Sequence, residues 1–426
     1  MNAVGLPGHE EVDAATVPAD WVVLKIGEMT EVSAGGTPAT GNESYWFPPE
    51  VPWMSSGEVH KRRIYSTEKK ISTLGLNNSA AKVFPKKSVV MALAGQGKTR
   101  GGVAVLEAEV ATNQSLAAIY PSKAFDTDFL FHNLDWRYKE LRSLSSGEGG
   151  RGGLNLSIIK SVPIGLPPLP EQQKIAAILT AVDDKLDVIA RQIEASQTLK
   201  HGLMQTLFSR GIGTHHAADW PTVSLCEVAE VRTGVAKGKK GLQEPVELPY
   251  LRVANVQDGH IDLAEVKNIE VEATQVERYA LQPGDVLMTE GGDFDKLGRG
   301  DVWEGQISPC LHQNHVFAVR PEPGKLNSYY LAALAASDHG RQYFLSCAKR
   351  TTNLASINSS QLKAFPVLLP SISVQESIAE VVDSANAKVA VLEEKQERYQ
   401  TLKRGLMQRL LTGEWRVSLN ASATGT

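Results

Sequence analysis

Several groupings in the sequence have residue types that chemistry uses. Ala92-Leu93-Ala94-Gly95-Gln96-Gly97-Lys98-Thr99 satisfies a permissive phosphate-loop pattern and follows the strand-like run 88–91. Such a loop works by presenting backbone N–H groups at the start of a helix to phosphate oxygens. Here it is followed by Arg100-Gly101-Gly102 and the strand-like Val103-Ala104-Val105, and the matching stretch 290–300 has no such pattern. A glycine-rich loop between two strands is expected, with a nucleotide-binding enzyme using the Lys98 loop as a minor alternative. Cys310, His312 and His315 could ligate a metal. A structural zinc site wants a fourth ligand, and alternate residues of a strand face opposite ways. No metal is expected. The double prolines of Phe47-Pro48-Pro49-Glu50 and Leu166-Pro167-Pro168-Leu169 lack the preceding Asn, Asp or Ser with which an adenine methyltransferase holds the amine. Glu68-Lys69-Lys70 matches half of a metal-dependent nuclease motif, but no Pro-Asp pair supplies the other half. The chain by itself is expected to carry no catalytic residues.

These fragments lie in a chain that repeats itself. Asp20-Trp21, Glu28, Glu31, Val32 and Gly35 return as Asp219-Trp220, Glu227, Glu230, Val231 and Gly234. Val51-Pro52-Trp53 answers to Leu248-Pro249-Tyr250, and Ser88-Val89-Val90-Met91 to Asp285-Val286-Leu287-Met288. Asn113-Gln114 lies near the counterpart of Gln313-Asn314, and Lys160, Pro163 and Pro167 match Lys363, Pro366 and Pro370. Gly-Leu-Met-Gln occurs at 202–205 and again at 405–408. A repeat of about 200 residues is a duplicated domain rather than a solenoid unit.

Each copy pairs a mixed front part with one long helix. In the first helix the apolar positions are Ile175, Leu179, Val182, Leu186, Ile189 and Ile193, spaced alternately four and three, the a/d pattern of a coiled-coil seam. Ser196 and Lys200 interrupt the register before Leu203 and Leu207 resume it. The second reads Ile378, Val382, Ala385, Val389, Leu392, Gln396, Tyr399, Lys403, Leu406 and Leu410. Pro170 and Pro370 precede these helices, Ser371 and Ser373 are possible caps, and Gly211 and Gly413 follow the ends. A helix of about 36 residues is about 54 Å long and buries one stripe, so it needs a partner, and the other copy is the economical one. Residues 171–210 hold five basic and five acidic groups and 371–412 six of each, as solvated coiled-coil flanks do. The expected fold is α+β: two similar mixed α/β domains, 20–169 and 212–369, and two helices, 170–211 and 370–413, forming an antiparallel coiled coil about a pseudo-two-fold. Residues 1–19 and 414–426 are expected as tails.

Composition bounds the possibilities. The 426 residues carry 44 Lys+Arg and 48 Asp+Glu, a net charge of −4, which excludes a uniformly basic nucleic-acid coat. Three scattered cysteines give no disulfide framework and fit a reducing compartment. No run of 18 apolar residues exists, so no membrane span is expected, and the acidic first twenty residues make no signal peptide.

Leu166-Pro167-Pro168-Leu169-Pro170-Glu171-Gln172-Gln173-Lys174-Ile175-Ala176, followed by the helix to Gly202-Leu203-Met204-Gln205, resembles the central conserved region of type I restriction–modification specificity subunits. Gly405-Leu406-Met407-Gln408-Arg409-Leu410-Leu411 resembles their second conserved region. The second copy departs from the pattern, with Ser371-Ile372-Ser373-Val374-Gln375-Glu376 in place of Pro-Glu-Gln-Gln. The resemblance implies that each front part is a target recognition domain reading one half of a split, asymmetric site in double-stranded DNA. It implies that the helices set the gap between half-sites and that the chain docks two modification subunits, which methylate adenine with S-adenosylmethionine. Restriction subunits then join and use ATP and Mg to translocate and cleave. It implies a prokaryotic cytoplasmic location and no cofactor bound by this chain. The rival reading is a duplicated protein-interaction scaffold that binds no DNA.

Base readout favours Arg or Lys for guanine and Asn or Gln for adenine, and phosphate contacts favour basic and hydroxyl side chains on loops. The candidates in the first domain are Lys61, Arg62, Arg63, Gln96, Lys98, Thr99, Arg100 and Arg151. In the second they are Lys237, Lys239, Lys240, Arg252, Asn255, Lys296, Arg299, Lys349 and Arg350. Residues 1–169 hold 17 basic and 17 acidic groups and 211–370 hold 15 and 19, so neither domain is basic as a whole. Partner subunits are expected to supply part of the phosphate clamp.

Overall fold

A computed structural model of the chain describes residues 17–95, 97, 99–145, 153–237, 242–292, 297–350 and 355–418. Gln96, Lys98, Arg151, Lys239, Lys240 and Lys296 lie outside the described residues, as does the side chain of Arg350. The described chain divides into two compact units. The first comprises 17–188 and 396–418, the second 189–395.

Both units follow the same plan, with one strand fewer in each sheet of the second. The first has a five-stranded sheet ordered Val32–Ala34, Leu116–Ile119, Val89–Ala92, Val103–Leu106, Arg63–Ile64. All neighbours are antiparallel except the last pair. The three middle strands are buried throughout their length. One face packs on Phe129, Leu130 and Leu134 of the helix Thr127–Trp136, and the other on Met54, Val59 and Phe84. A four-stranded sheet, Lys69–Ile71, Val51–Met54, Val110–Thr112, Val83–Phe84, lies beyond. The second unit repeats this with Ala229–Thr233, Val316–Pro321, Val286–Thr289, Gly300–Val302 in one sheet and Lys267–Glu272, Pro245–Leu251, Leu311–His312 in another. The parallel pairing of Val51–Met54 with Val110–Thr112 recurs between Pro245–Leu251 and Leu311–His312.

A steric constraint recurs with the topology. At Gly35 a Cβ would stand 2.1 Å from the carbonyl oxygen of Thr112, and at Gly234 2.0 Å from that of His312. Only glycine permits these strands to cross so closely.

The central helix runs Leu169–Arg210, 42 residues, and the C-terminal helix Ile372–Leu411, 40 residues. Gly211, at φ 95°, and Gly413, at φ 77°, turn the chain out in the left-handed conformation. The Ser371 hydroxyl meets that of Ser373 at 3.1 Å. In the first unit Ile175 and Leu179 share a core with Met407, Leu410 and Leu411, and Asp183 meets Lys403 at 2.6 Å. In the second unit Met204, Leu207 and Phe208 share a core with Val374, Ile378 and Val382, while Gln197 donates to Glu393 at 3.5 Å. In each unit numbers rise along one helix as they fall along the other, so the helices pair antiparallel. Every residue of the expected seam is buried or half-buried, including the polar Ser196, Lys200, Gln396 and Lys403. Leu203 is the weaker contributor: Met204, Leu207 and Phe208 are the buried residues at that end.

Each front domain is tied to the start of the helix that follows it by one buried glutamine. Gln172 Oε1 accepts from Asp126 N–H at 2.8 Å while its Nε2 donates to Pro167 O at 2.8 Å. Gln375 does the same with Asn327 N–H at 2.9 Å and Pro370 O at 2.9 Å. Asp126 and Asn327 are themselves the N-caps of Thr127–Trp136 and Ser328–Ala336. The altered sequence before the second helix therefore keeps the contact that matters. The segment read as a C-terminal tail carries Arg416, whose guanidinium reaches Glu171 at 2.7 and 2.8 Å and Asp20 at 2.6 and 2.8 Å.

Candidate nucleic-acid interface

In each unit three loops gather at one end of the main sheet. In the first, Leu93 N–H donates to Ser115 O at 2.8 Å and Leu154 N–H to Leu93 O at 2.9 Å. These bonds bring the loop after 93, the turn at 113–115 and the segment before 155 to one edge. The Arg142 guanidinium holds the carbonyl of Gly97 there. Thr37 Oγ1 donates to Gln114 Oε1 at 2.5 Å, adding the loop after Gly36. In the second unit Glu290 N–H donates to His315 O at 3.0 Å and Ile357 N–H to Glu290 O at 2.8 Å. A small sheet, Gly291–Gly292 with Ala355–Ser356 and Lys349–Arg350, builds out this edge. Asn314 N–H donates to Val235 O at 3.0 Å, which places the loop bearing Lys237 beside it.

The structure therefore sorts the candidates. Thr99 and Arg100 stand on the loop edge of the first unit, where Leu154 N–H also returns to Leu93 O; Arg151 lies outside the described residues. Lys237, Arg299 and Lys349 stand on the corresponding edge of the second, where Lys237 and Lys349 are exposed. Lys237 Nζ lies 5.8 Å from the Tyr250 ring centroid. The glycine-rich stretch after Ala92 joins the antiparallel strands Val89–Ala92 and Val103–Leu106.

Other candidates are engaged by the protein's own groups. Lys61 pairs with Glu58 at 2.8 Å and Glu68 at 3.1 Å. Arg62 forks onto Asp135 at 3.0 Å and reaches Asp183 of the central helix at 3.0 Å, above the Phe131 ring. Burial works against its charge, but the two carboxylates outweigh it and raise its pKa further. Arg63 pairs with Glu107 at 2.8 Å and Asp128 at 2.7 Å. Asn255 spends its amide on the backbone: Oδ1 accepts from Arg252 N–H at 2.9 Å, and Nδ2 donates to Asp262 O at 2.8 Å and Glu265 O at 3.0 Å. It is a capping residue in the place Glu58 takes in the first copy. Arg252 donates to Glu265 O at 3.2 Å. These side chains are bound to the protein itself, whereas Lys237 and Lys349 of the loop-edge set are exposed.

Edge residues not picked out from sequence are Gln114 in the first unit and Gln313, Asn314 and His315 in the second. The available signal was the repeated Asn113-Gln114 and Gln313-Asn314 pair. His315 Nδ1 meets the Glu290 carboxylate. His312 is buried, with its Nδ1 2.7 Å from Val316 O. Burial holds the His312 imidazole down to about 4 and pushes the Cys310 thiol up to about 12. Among the described residues no group of His, Cys, Asp and Glu is arranged to hold a metal.

The family model for the type I restriction modification DNA specificity domain matches residues 18–196 and again 217–400. The chain belongs to this specificity family. The two matches fall on the two copies of the duplicated unit. Among the specificity subunits it is similar to, that of the enzyme MjaVIII from Methanocaldococcus jannaschii is 24% identical over 96% of both chains. That of EcoKI from Escherichia coli is 22% identical, covering 96% of this chain and 91% of the relative. A crystal structure of the S subunit from M. genitalium shares the fold, with a TM-score of 0.57 at 14% identity over 92% of this chain and 96% of that one. The duplicated front domains, followed by long helices, are thus the specificity-family architecture, and the role that goes with it is DNA sequence specificity. Among the described residues no helix is long and apolar enough to cross a membrane.

Proposed function

We propose that this chain is the non-catalytic DNA-specificity subunit of a type I restriction–modification complex, and that each recognition domain reads one half of a bipartite, asymmetric site. The observation that carries this reading is the repetition, within a family-matched duplication, of the same loop edge bearing basic and amide side chains. Arg100, with Gln114 nearby, faces the task in one copy; Lys237, Arg299, Lys349, Gln313 and Asn314 face it in the other. Such loops hold the donors and acceptors that base edges and phosphates require.

In this reading the helix pair has two roles. Helices of 42 and 40 residues span about 60 Å at 1.5 Å per residue. A duplex turn occupies about 34 Å, so their length sets the unread spacing between half-sites. The solvated faces dock two modification subunits, with restriction subunits joining them. S-adenosylmethionine, ATP and Mg are then bound by those partners, and no step of methyl transfer or cleavage falls to residues of this chain. The test is assembly of the chain with the modification subunits of its own system, followed by mapping of methylated adenines on genomic DNA. A two-part motif with a fixed gap supports the proposal. No methylation, together with no salt-dependent binding of duplex DNA, favours the scaffold reading.

A further inference from the structure

The two copies differ at one matched position. In the first, the capped turn Ser56–Lys61 ends on Arg62, a non-glycine residue with φ 61°. In the second, the capped turn Val253–Asn255 leads through Val256 to Gly259, with φ 75°. The two turns align from Val51-Pro52-Trp53 and Leu248-Pro249-Tyr250 onward, which sets Arg62 opposite Gly259. Lys87, with φ 70°, and Gly284, with φ 93°, stand opposite each other in the same alignment. The left-handed backbone is common to both copies; the side chain is not.

What Arg62 touches also differs between the copies. It bonds Asp135, at the end of the front-domain helix, and Asp183 of the central helix, and Asp183 is bonded by Lys403 of the C-terminal helix. The front domain and both long helices thus meet in one ionic cluster, and His132 behind it donates to or accepts from Thr180 at 3.0 Å. In the second unit the residue equivalent to Lys403 is Lys200, that for Asp183 is Asn386, and that for Asp135 is Ala336. Instead of a cluster there is a cavity of about 300 Å³, lined by Lys200, Gly259, Ala336 and Asn386 among others. A Cβ on Gly259 would sit 3.8 Å from Lys200 Nζ, an ordinary contact, so there is space for a side chain, at the same left-handed backbone strain that Arg62 bears in the first copy.

We infer that Arg62 is a positioning residue, which with Asp135, Asp183 and Lys403 clamps the first recognition domain at a fixed setting on the helices, and that the second domain, lacking the clamp, keeps freedom to adjust its setting. Arg62 then acts on specificity through the placement of its domain and not by touching DNA. A bidentate guanidinium held by two carboxylates constrains orientation as well as distance, which a hydrophobic contact alone does not. The inference rests on the DNA-specificity reading.

The experiment compares the full chain, in complex with its modification subunits, with two variants. One is Arg62→Gly; the other is Gly259→Arg combined with Ala336→Asp and Asn386→Asp. The first measurement is amide hydrogen exchange without DNA. In the native chain segment 253–261 should exchange faster than 56–64. Arg62→Gly should bring 56–64 to the faster rate, and the triple variant should slow 253–261. The second is the methylation rate on duplexes with the native spacer and with one base pair added or removed. Arg62→Gly should reduce the preference for the native spacer several-fold while the half-site bases stay the same, with Arg62→Lys in between; the triple variant should sharpen it. Exchange that does not respond to either variant overturns the clamp. Equal loss of rate on all spacers also overturns it, because a purely structural role predicts that result. A native complex with no spacer preference overturns the bipartite reading itself, whatever the exchange shows. The triple variant is a gain-of-function test and does not depend on how well Arg62→Gly folds.

Discussion

Gln172 and Gln375 hold the same station in the two halves of the chain, each joining the backbone of its front domain to the turn that opens its long helix. Their relative exposures are 2% and 0%, so neither amide has water as an alternative partner. Each glutamine thus pins one point of its front domain to the start of its helix.

Replacing either glutamine by alanine strands a half-buried N–H and a buried carbonyl. Each substitution should cost about 1–3 kcal/mol. The double variant should lose close to the sum, because the two sites share no partner. Urea unfolding of the single and double variants checks this; a loss under 0.5 kcal/mol would mean that the junction is held by other contacts.

The crossing of strands at Gly35 and Gly234 gives a second test. Alanine at Gly234 would place a methyl group against the His312 carbonyl. Relief needs backbone movement, with a cost of about 1–3 kcal/mol or more. Gly202, exposed on the central helix with open space around its Cβ position, is the control: alanine there should stabilise by up to about 1 kcal/mol. Thermal melts of the two variants should move in opposite directions.

Stability should fall with acidification below neutrality. Burial holds both His132 and His312 down to about 4, below the ordinary 6.5. The unfolded chain therefore takes up more protons than the folded chain as pH drops through 6.5 toward 4. The stabilisation is fully present above about 6.5 and is lost progressively below it, at up to about 1.4 kcal/mol per pH unit for each histidine. Denaturation midpoints measured from pH 7.5 to 4.5 should show this slope, and a His132→Gln variant should show a shallower one.

The exposed edge lysines should behave differently from the engaged arginines. Lys237→Ala and Lys349→Ala should leave stability within about 0.5 kcal/mol of the parent and weaken DNA binding, each lowering the salt slope by about one. Arg62→Ala should instead lower stability, since it leaves the Asp135 and Asp183 carboxylates without their guanidinium. Binding titrations at several salt concentrations, paired with unfolding curves, separate the two classes.

The architecture was legible because repetition and periodicity are properties of the sequence itself. The offset between copies identified the duplication, and the alternating four and three spacing of Ile175 through Ile193 marked the helix stripe that is buried. The candidate site was less legible. Arg62 and Arg63 have the same composition as a phosphate-binding cluster, and only the fold brings Asp135, Asp183, Glu107 and Asp128 to them from distant parts of the chain. Asn255 is a base-reading residue type, yet its capping role depends on where the Asp262 and Glu265 carbonyls fall. In the opposite direction, Gln114 and Asn314 become edge residues because strand pairing carries their turns to the loop cluster. A pair separated by dozens of residues leaves no local mark, whereas a helix stripe does.

The central claim is that the two halves read DNA separately. The most direct test exchanges residues 20–169 for the matching domain of another specificity subunit, assembles the chain with the modification subunits and maps methylated adenines by sequencing. One half of the bipartite motif should change, while the other half and the spacer length are retained. A change in both halves, or in neither, would contradict it.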